Sequence, residues 1–307
     1  MPLALSTSWN AYRYTEARSM LFEISKLNFR NIELSFNLTD SMVREIPKAA
    51  KELGITITSL HNYCPIPEGF SREKGLPDCY SISSLNPQEK ALALRYTKKT
   101  IDTAESLGAC VVVLHCGRVE IEDKTKELSF LYQSNKKEDS EFKRIKEVFL
   151  QERSNKAGPF LESAISSLKE LSLYAKERGV LLGIENRVYY REIPDFDEIG
   201  IILNKLSDEN VFYWHDTGHA KVMQNLGFIE GRDYLKEYSG RLIGVHLHNV
   251  IGCLDHQPLK KGDLDFSYLK PYLNKETHKV IEVHKPATAR DIEESKSLLE
   301  GIFNDII

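Results

Sequence analysis

The chain has 307 residues, a net charge of −4, and 41% hydrophobic and 28% charged side chains. That is enough sequence to bury one large core, and it offers no bulk attraction to a nucleic-acid backbone. No stretch approaches the roughly 18 apolar residues of a membrane span, and MPLALSTSWNAYR lacks the basic start and long apolar run of a secretory signal, so a cytoplasmic protein without membrane contact is expected.

In chain order, strands are predicted over 3–7, 31–36, 55–61, 110–116, 180–186, 211–216, 242–248 and 279–284. They are short, rich in Val and Ile and apolar nearly throughout, as strands covered on both faces should be. Helical patterns fall between them at 16–27, 40–53, 87–107, 160–178, 195–206, 231–239, 266–274 and 288–304. Thr39-Asp40 and Asn86-Pro87 suit helix starts, whereas Gly54, Gly108 and Gly179 suit left-handed ends. Eight strands alternating with eight helices predict a single (β/α)₈ barrel domain over 1–307. A doubly wound open sheet is the alternative, but STSWNAY after the first strand is no phosphate-binding glycine loop.

Two insertions follow the third and fourth strands and are expected on the C-terminal face of the barrel: a loop at 62–85 and a charged segment at 117–157 with an exposed helix over 139–152. The charged segment reads as a solvated face, with a lid as the other option. The cysteines (64, 79, 110, 116 and 253) are odd in number and lack Cys-x-x-Cys spacing, which suits reduced thiols; Cys110 is expected in the core.

The strands end in ionisable residues: Glu33, His61, His115, Glu185, Asp216 with His219 beyond it, His246 and His248, and Glu282, while His256 follows the seventh strand. One buried His or Glu is ordinarily a hydrogen-bonded structural residue. Seven strands ending this way converge on one barrel mouth, where several carboxylates need a neutralising cation. Mixed imidazole and carboxylate donors suit Zn²⁺, Mn²⁺, Fe²⁺ or Co²⁺ better than Mg²⁺. His215 should point outward, and Thr217-Gly218 reads as a turn that carries His219 over the site.

NIELSF, SLHNY, VVLHCG, GIENR, WHDTGHA, GVHLHNV, DHQPLKKGDLDF and VIEVH together resemble the xylose isomerase-like barrel superfamily over nearly the whole chain. The resemblance implies that Glu185, Asp216, His246 and Glu282 hold one divalent metal (Mn, Zn, Co or Fe), and that His219 touches substrate. It further implies a sugar, sugar phosphate or keto-polyol isomerase or epimerase, working through an enediolate with Glu185 and Glu282 as bases. In that reading His115 would bond substrate oxygens, Arg187 or Lys285 would hold an anionic group or else form a surface ion pair, and Trp9 and Tyr63 would wall the sugar or serve packing equally well. A small-molecule partner is therefore expected rather than nucleic acid; a homo-oligomer is compatible with the sequence but not specified by it.

The superfamily also contains endonuclease IV, a three-zinc phosphodiesterase that cuts abasic DNA, and His61, His115, His219 and His256 match its additional zinc ligands. That reading is the alternative. Leu254 stands where the endonuclease loop has an acid, and Lys260-Lys261 stand where it has Gly-Glu. A third option is a binding protein that keeps the barrel without catalysis.

Overall fold

The structure, a computed structural model, describes residues 2–306. Seven strands follow in turn: β1 (Leu3–Ser6), β2 (Asn31–Leu34), β3 (Thr56–His61), β4 (Val111–Leu114), β5 (Leu181–Glu185), β6 (Val211–Asp216) and β7 (Leu242–Leu247). After an antiparallel hairpin, β8 (Asn249–Ile251) and β9 (Leu254–Gln257), the strand β10 (His278–Ile281) pairs with β7 and with β1, and closes a ring of eight parallel strands. This is the expected (β/α)₈ barrel.

The helices are α1 (Ala17–Lys26), α2 (Asp40–Leu53), α3 (Pro87–Leu107), α4 (Thr125–Gln133), α5 (Ser140–Lys176), α6 (Phe196–Lys205), α7 (Thr217–Asn225), α8 (Asp233–Tyr238) and α9 (Ala289–Ile302). The Thr39 hydroxyl accepts from the Met42 N–H, Asn86 accepts from Gln88 and Glu89, and Gly54 and Gly108 close their helices at φ 62° and 69°. Among the described residues no helix is long and apolar enough to cross a membrane.

Several expectations need correction. The helices predicted at 139–152 and 160–178 are one 37-residue helix, α5, and its first part is not simply exposed. Phe142, Ile145, Phe149, Arg153, Ala157, Leu161 and Ala164 are buried at intervals of three or four across Gly158-Pro159. That continuous stripe outweighs the one hydrogen bond Pro159 cannot make. The helix expected at 266–274 shrinks to a 3₁₀ turn at Phe266–Leu269, and the β8–β9 hairpin went unpredicted. Cys110 is exposed, because β4 starts one residue later.

The barrel interior is filled by Ala4, Val111, Val113, Trp214 and Val280. The Trp214 indole lies across the lumen and requires Gly244 beside it, since a Cβ there would fall 2.2 Å from the ring. The same ring forms the floor under His246, with centroids 5.0 Å apart. The plug thus places the first polar layer at the C-terminal mouth.

Candidate metal centre

Four strand ends deliver Glu185, Asp216, His246 and Glu282 to one point. One donor atom from each lies within 4.8 Å of the others, and all four side chains are buried. His246 Nδ1 is 2.5 Å from Glu185 Oε1, 3.1 Å from Glu282 Oε2 and 3.8 Å from Asp216 Oδ2. Its other nitrogen, Nε2, is 3.1 Å from both oxygens of Glu33, which also accepts from the Ser59 hydroxyl at 2.8 Å. A carboxylate behind a ligating imidazole fixes its ring plane and tautomer. Three buried carboxylates and an imidazole around one point form a donor set that a divalent cation fits, and without one they must neutralise each other.

The protonation pattern shows that strain. Burial alone would neutralise Glu185, but hydrogen bonds from His115 and His246 and the charge of Arg187 overrule it and hold the carboxyl well below its usual range. Glu282 lacks comparable donors. Burial, with repulsion from Glu33, Glu185 and Asp216, lifts it to about 8 despite the His246 charge. Burial disfavours a charged His246, yet Glu282, Glu33 and the hydrogen bonds of Glu185 and Glu33 hold it well above the ordinary imidazole range. His246 and Glu282 thus keep protons that a divalent ion would displace.

Asp216 does two jobs. Its Oδ1 accepts from the His219 N–H at 2.7 Å and caps α7, and its Oδ2 meets His248 Nε2 at 2.8 Å. Thr217-Gly218 is therefore the first turn of a helix rather than a loop. Gly218 is required there because a Cβ would fall 2.0 Å from the His248 ring. His219 Nδ1 bonds the Asn186 carbonyl at 3.0 Å, which leaves Nε2 toward the mouth, 3.9 Å from Asp255.

Three further groups flank the first: His61, His115 and Glu185; His219, His248 and His256; and His256, Glu282 and His284. In the first, both His115 nitrogens are engaged, Nε2 with Glu185 at 3.1 Å and Nδ1 with Asp78 at 2.9 Å. Burial and the neighbouring His115 charge lower His61 to about 4, so it stays neutral. In the second, His256 stacks between His248 and His284 at 4.1 and 3.7 Å and holds a left-handed backbone at φ 51°. Such strain persists where surrounding contacts over-determine it.

The remaining expected residues fall elsewhere. Arg187 is buried and shared among Glu185, Glu192 at 3.3 Å and Asp78 at 3.9 Å, so its charge is already matched within the protein. Lys285 is exposed at the mouth, with its ammonium 5.4 Å from the Tyr12 ring. Trp9 and Tyr63 are buried and bonded to the carbonyls of Ala287 and Tyr80, so both serve packing. His215 points away to Tyr213 and Tyr268, as expected. The charged insertion is anchored, because buried Arg153 bonds Asp195 and Glu198 and Phe149 packs on Tyr190.

Three contributors, His284, Asn186 and Asp78, escaped assignment from sequence, and the sequence marks His248 only as a strand-end residue on the face of His246, without a ligand role. His284 lies two residues beyond Glu282, as His248 does beyond His246, a period-two signal that could have found it as well. Asn186 ties β5 to β6 through Tyr213, the Asp216 N–H and the Asp216 carbonyl. Asp78 reaches His115 from the long loop, and nothing in the local sequence marks it.

The fold has counterparts in known proteins. No curated protein sequence matches the chain. Solved structures do. A D-tagatose 3-epimerase-like protein is 19% identical, with a TM-score of 0.69, covering 100% of this chain and 98% of that one. The apo 3-keto-D-glucoside 4-epimerase from E. coli is 15% identical, with a TM-score of 0.68 and coverage of 98% and 99%. The D-allulose 3-epimerase from Methylomonas sp. in complex with D-allulose is 14% identical, with a TM-score of 0.65 and coverage of 99% and 95%. At these identities the likeness is one of fold. The family described as xylose isomerase-like TIM barrel matches residues 21–301. The chain belongs to the xylose isomerase-like TIM barrel family.

Proposed function

We propose that the protein is a divalent-metal-dependent isomerase or epimerase of a sugar or sugar derivative, with Glu185 and Glu282 exchanging the proton beside the substrate carbonyl. The observation that carries this reading is the pair of carboxylates flanking His246 Nδ1 at 2.5 and 3.1 Å, with Asp216 completing the donor set. A Mn, Zn, Co or Fe ion held by Glu185, Asp216, His246 and Glu282 would supply Lewis acidity to a carbonyl and its neighbouring hydroxyl.

The chain's own residues supply the rest. One Glu removes the proton on the carbon next to the carbonyl, and an enediolate results. The same Glu or its partner returns the proton, to the same or the neighbouring carbon. His219 Nε2, which forms no hydrogen bond among the described residues, bonds a substrate hydroxyl. The buried walls keep bulk water from quenching the carbanion. The 3-epimerases of similar fold are named for ketose chemistry of this kind, which supports the reading.

Incubating a panel of ketoses and aldoses with metal-loaded protein in D₂O tests it. Deuterium should enter beside the carbonyl, and chelator or Glu185→Gln should abolish the exchange. Exchange that survives chelation would refute the mechanism.

One observation favours a second reading, the three-zinc phosphodiesterase. Leu254 is exposed, and the adjacent Asp255 carboxylate sits 3.9 Å from His219 and 3.8 Å from His256, beside the His219–His248–His256 group. Metal stoichiometry separates the readings. About one ion per chain supports the isomerase, and three tightly held zinc ions with cleavage of abasic DNA support the nuclease.

A further inference from the structure

The three groups that flank the metal centre differ in whether their imidazoles can still bind a cation. A ring nitrogen does so only through a free lone pair. His115 has none to offer, since its nitrogens face carboxylates on both sides, Glu185 at 3.1 Å and Asp78 at 2.9 Å. His248 has none either. Its Nδ1 accepts from the His256 N–H at 2.8 Å, and its Nε2 lies 2.8 Å from Asp216 Oδ2. The groups containing His115 and His248 are therefore each one ligand short. The third group, His256, Glu282 and His284, is not.

His256 Nδ1 bonds the main-chain carbonyl of Glu282 at 3.1 Å, so that nitrogen carries the proton and Nε2 keeps its lone pair. Asp255 Oδ2, 3.8 Å from Nε2, is beyond hydrogen-bond reach. On the other ring, His284 Nε2 is buried and has no hydrogen-bond partner. A buried nitrogen left unpaired is uncommon and calls for an occupant. The two rings stack with centroids 3.7 Å apart and planes 12° from parallel. A donor atom from each lies within 4.8 Å of the other and of a Glu282 carboxylate oxygen. Zn²⁺ holds imidazole nitrogens at about 2.0–2.1 Å, so two of them on one tetrahedral ion stand roughly 3.4 Å apart. That is close to the spacing of the stacked rings.

The surroundings suit an ion as well. The carbonyl behind His256 Nδ1 fixes the ring plane and tautomer, as an outer partner does for a ligating histidine. His284 also lines a cavity of about 300 Å³ at the barrel mouth, with Ser8, Tyr12 and Asn37, which gives a route from solvent. Ser8 Oγ and Asn37 Oδ1 are buried there without partners, and both can accept from the water shell of an entering cation. Two imidazoles, one carboxylate and a fourth position for water form a donor set that Zn²⁺ takes, whereas Mn²⁺ favours sites richer in oxygen. A carboxylate has two oxygens, so Glu282 can serve two ions.

We infer that His256, His284 and Glu282 form a second divalent-cation site, suited to zinc, that shares Glu282 with the metal centre. It differs from the additional zinc sites of the nuclease reading, which do not use His284, and it does not depend on the isomerase reading.

Equilibrium dialysis of metal-stripped protein against Zn²⁺, with the bound metal counted by elemental analysis, tests it. The wild type should bind at least two equivalents, and His284→Ala one fewer. His219→Ala should bind as many as the wild type, because His219 belongs to another group. A single equivalent in the wild type at saturating zinc would overturn the inference. So would a count that His284→Ala leaves unchanged, or a second equivalent lost in His219→Ala. Zinc-edge anomalous diffraction from wild-type crystals needs no variant. A peak is expected about 2.0–2.1 Å from a ring nitrogen of both His256 and His284, and its absence at saturating zinc would also overturn the inference. Deuterium exchange on the sugar panel reports the isomerase reading separately, so either claim can fail without the other.

Discussion

Glu33 lies behind His246, with both carboxylate oxygens 3.1 Å from Nε2, while Nδ1 on the opposite edge faces Glu185, Glu282 and Asp216. The imidazole is therefore oriented by one acid and presented to three others. Glu33→Gln removes the charge but keeps the shape. Metal affinity should fall by about 10- to 100-fold, as for other outer carboxylates, with the fold intact by circular dichroism. Unchanged affinity in a metal titration would mean that Glu33 is only a buried spacer.

The metal-free protein should lose stability as pH rises from about 6.5 to 9. Burial opposes charge on His115 and His248, but the carboxylates of Asp78 and Glu185 around one and Asp216 beside the other raise both to about 9. Burial raises Glu282 to about 8. A group raised on folding stabilises fully below its unfolded value and loses that contribution as pH climbs through the folded one. The windows are therefore about 6.5 to 9 for the two histidines and 4.5 to 8 for Glu282. Below 6.5 the sign reverses, because burial depresses His61 to about 4 and His256 to about 3. Thermal melts across this range should show Tm highest near pH 6.5, and saturating divalent metal should flatten the alkaline fall. A metal-free Tm that rises between pH 7 and 9 would contradict this.

Gly244→Ala should destabilise the barrel by about 1–3 kcal/mol, the usual cost of overpacking. The new methyl would sit 2.2 Å from the Trp214 ring, which has no room to move in the lumen. Gly240→Ala, with open space around the added carbon, is the matched control. Equal denaturation midpoints for the two variants would mean that Trp214 is not a rigid plug.

Arg153→Met should cost about 3–5 kcal/mol, because it strands buried acids. The guanidinium bonds Asp195 at 2.6 Å, Glu198 at 2.6 and 3.0 Å and the Glu192 carbonyl at 2.9 Å, and it fixes α5 against the connection after β5. Urea unfolding should show the loss. A change below 1 kcal/mol would indicate that water readily replaces the arginine.

Much of this was legible in the sequence because the barrel imposes strong local signals. Apolar strands such as VVVL and capped helices such as α2 and α3 announce themselves, and Asp216 and Glu282 stand out by ending greasy runs. What escaped depends on distance in sequence. Asp78 finds His115 across 37 residues, and the orphaned Ser8, Asn37 and His284 become a set only when three loops close over the mouth. Gly158-Pro159 misled for a related reason: a local helix-breaking signal was overruled by a stripe of buried residues on both sides.

The central claim is that Glu185, Asp216, His246 and Glu282 hold one divalent ion at the base of the mouth. Crystals equilibrated with Mn²⁺ and measured for anomalous scattering test it most directly. A single strong peak is expected about 2.0–2.3 Å from His246 Nδ1 and from one oxygen of each of the three carboxylates. Anomalous density confined to the flanking histidine clusters, or none at the four residues under saturating Mn²⁺, would contradict the account.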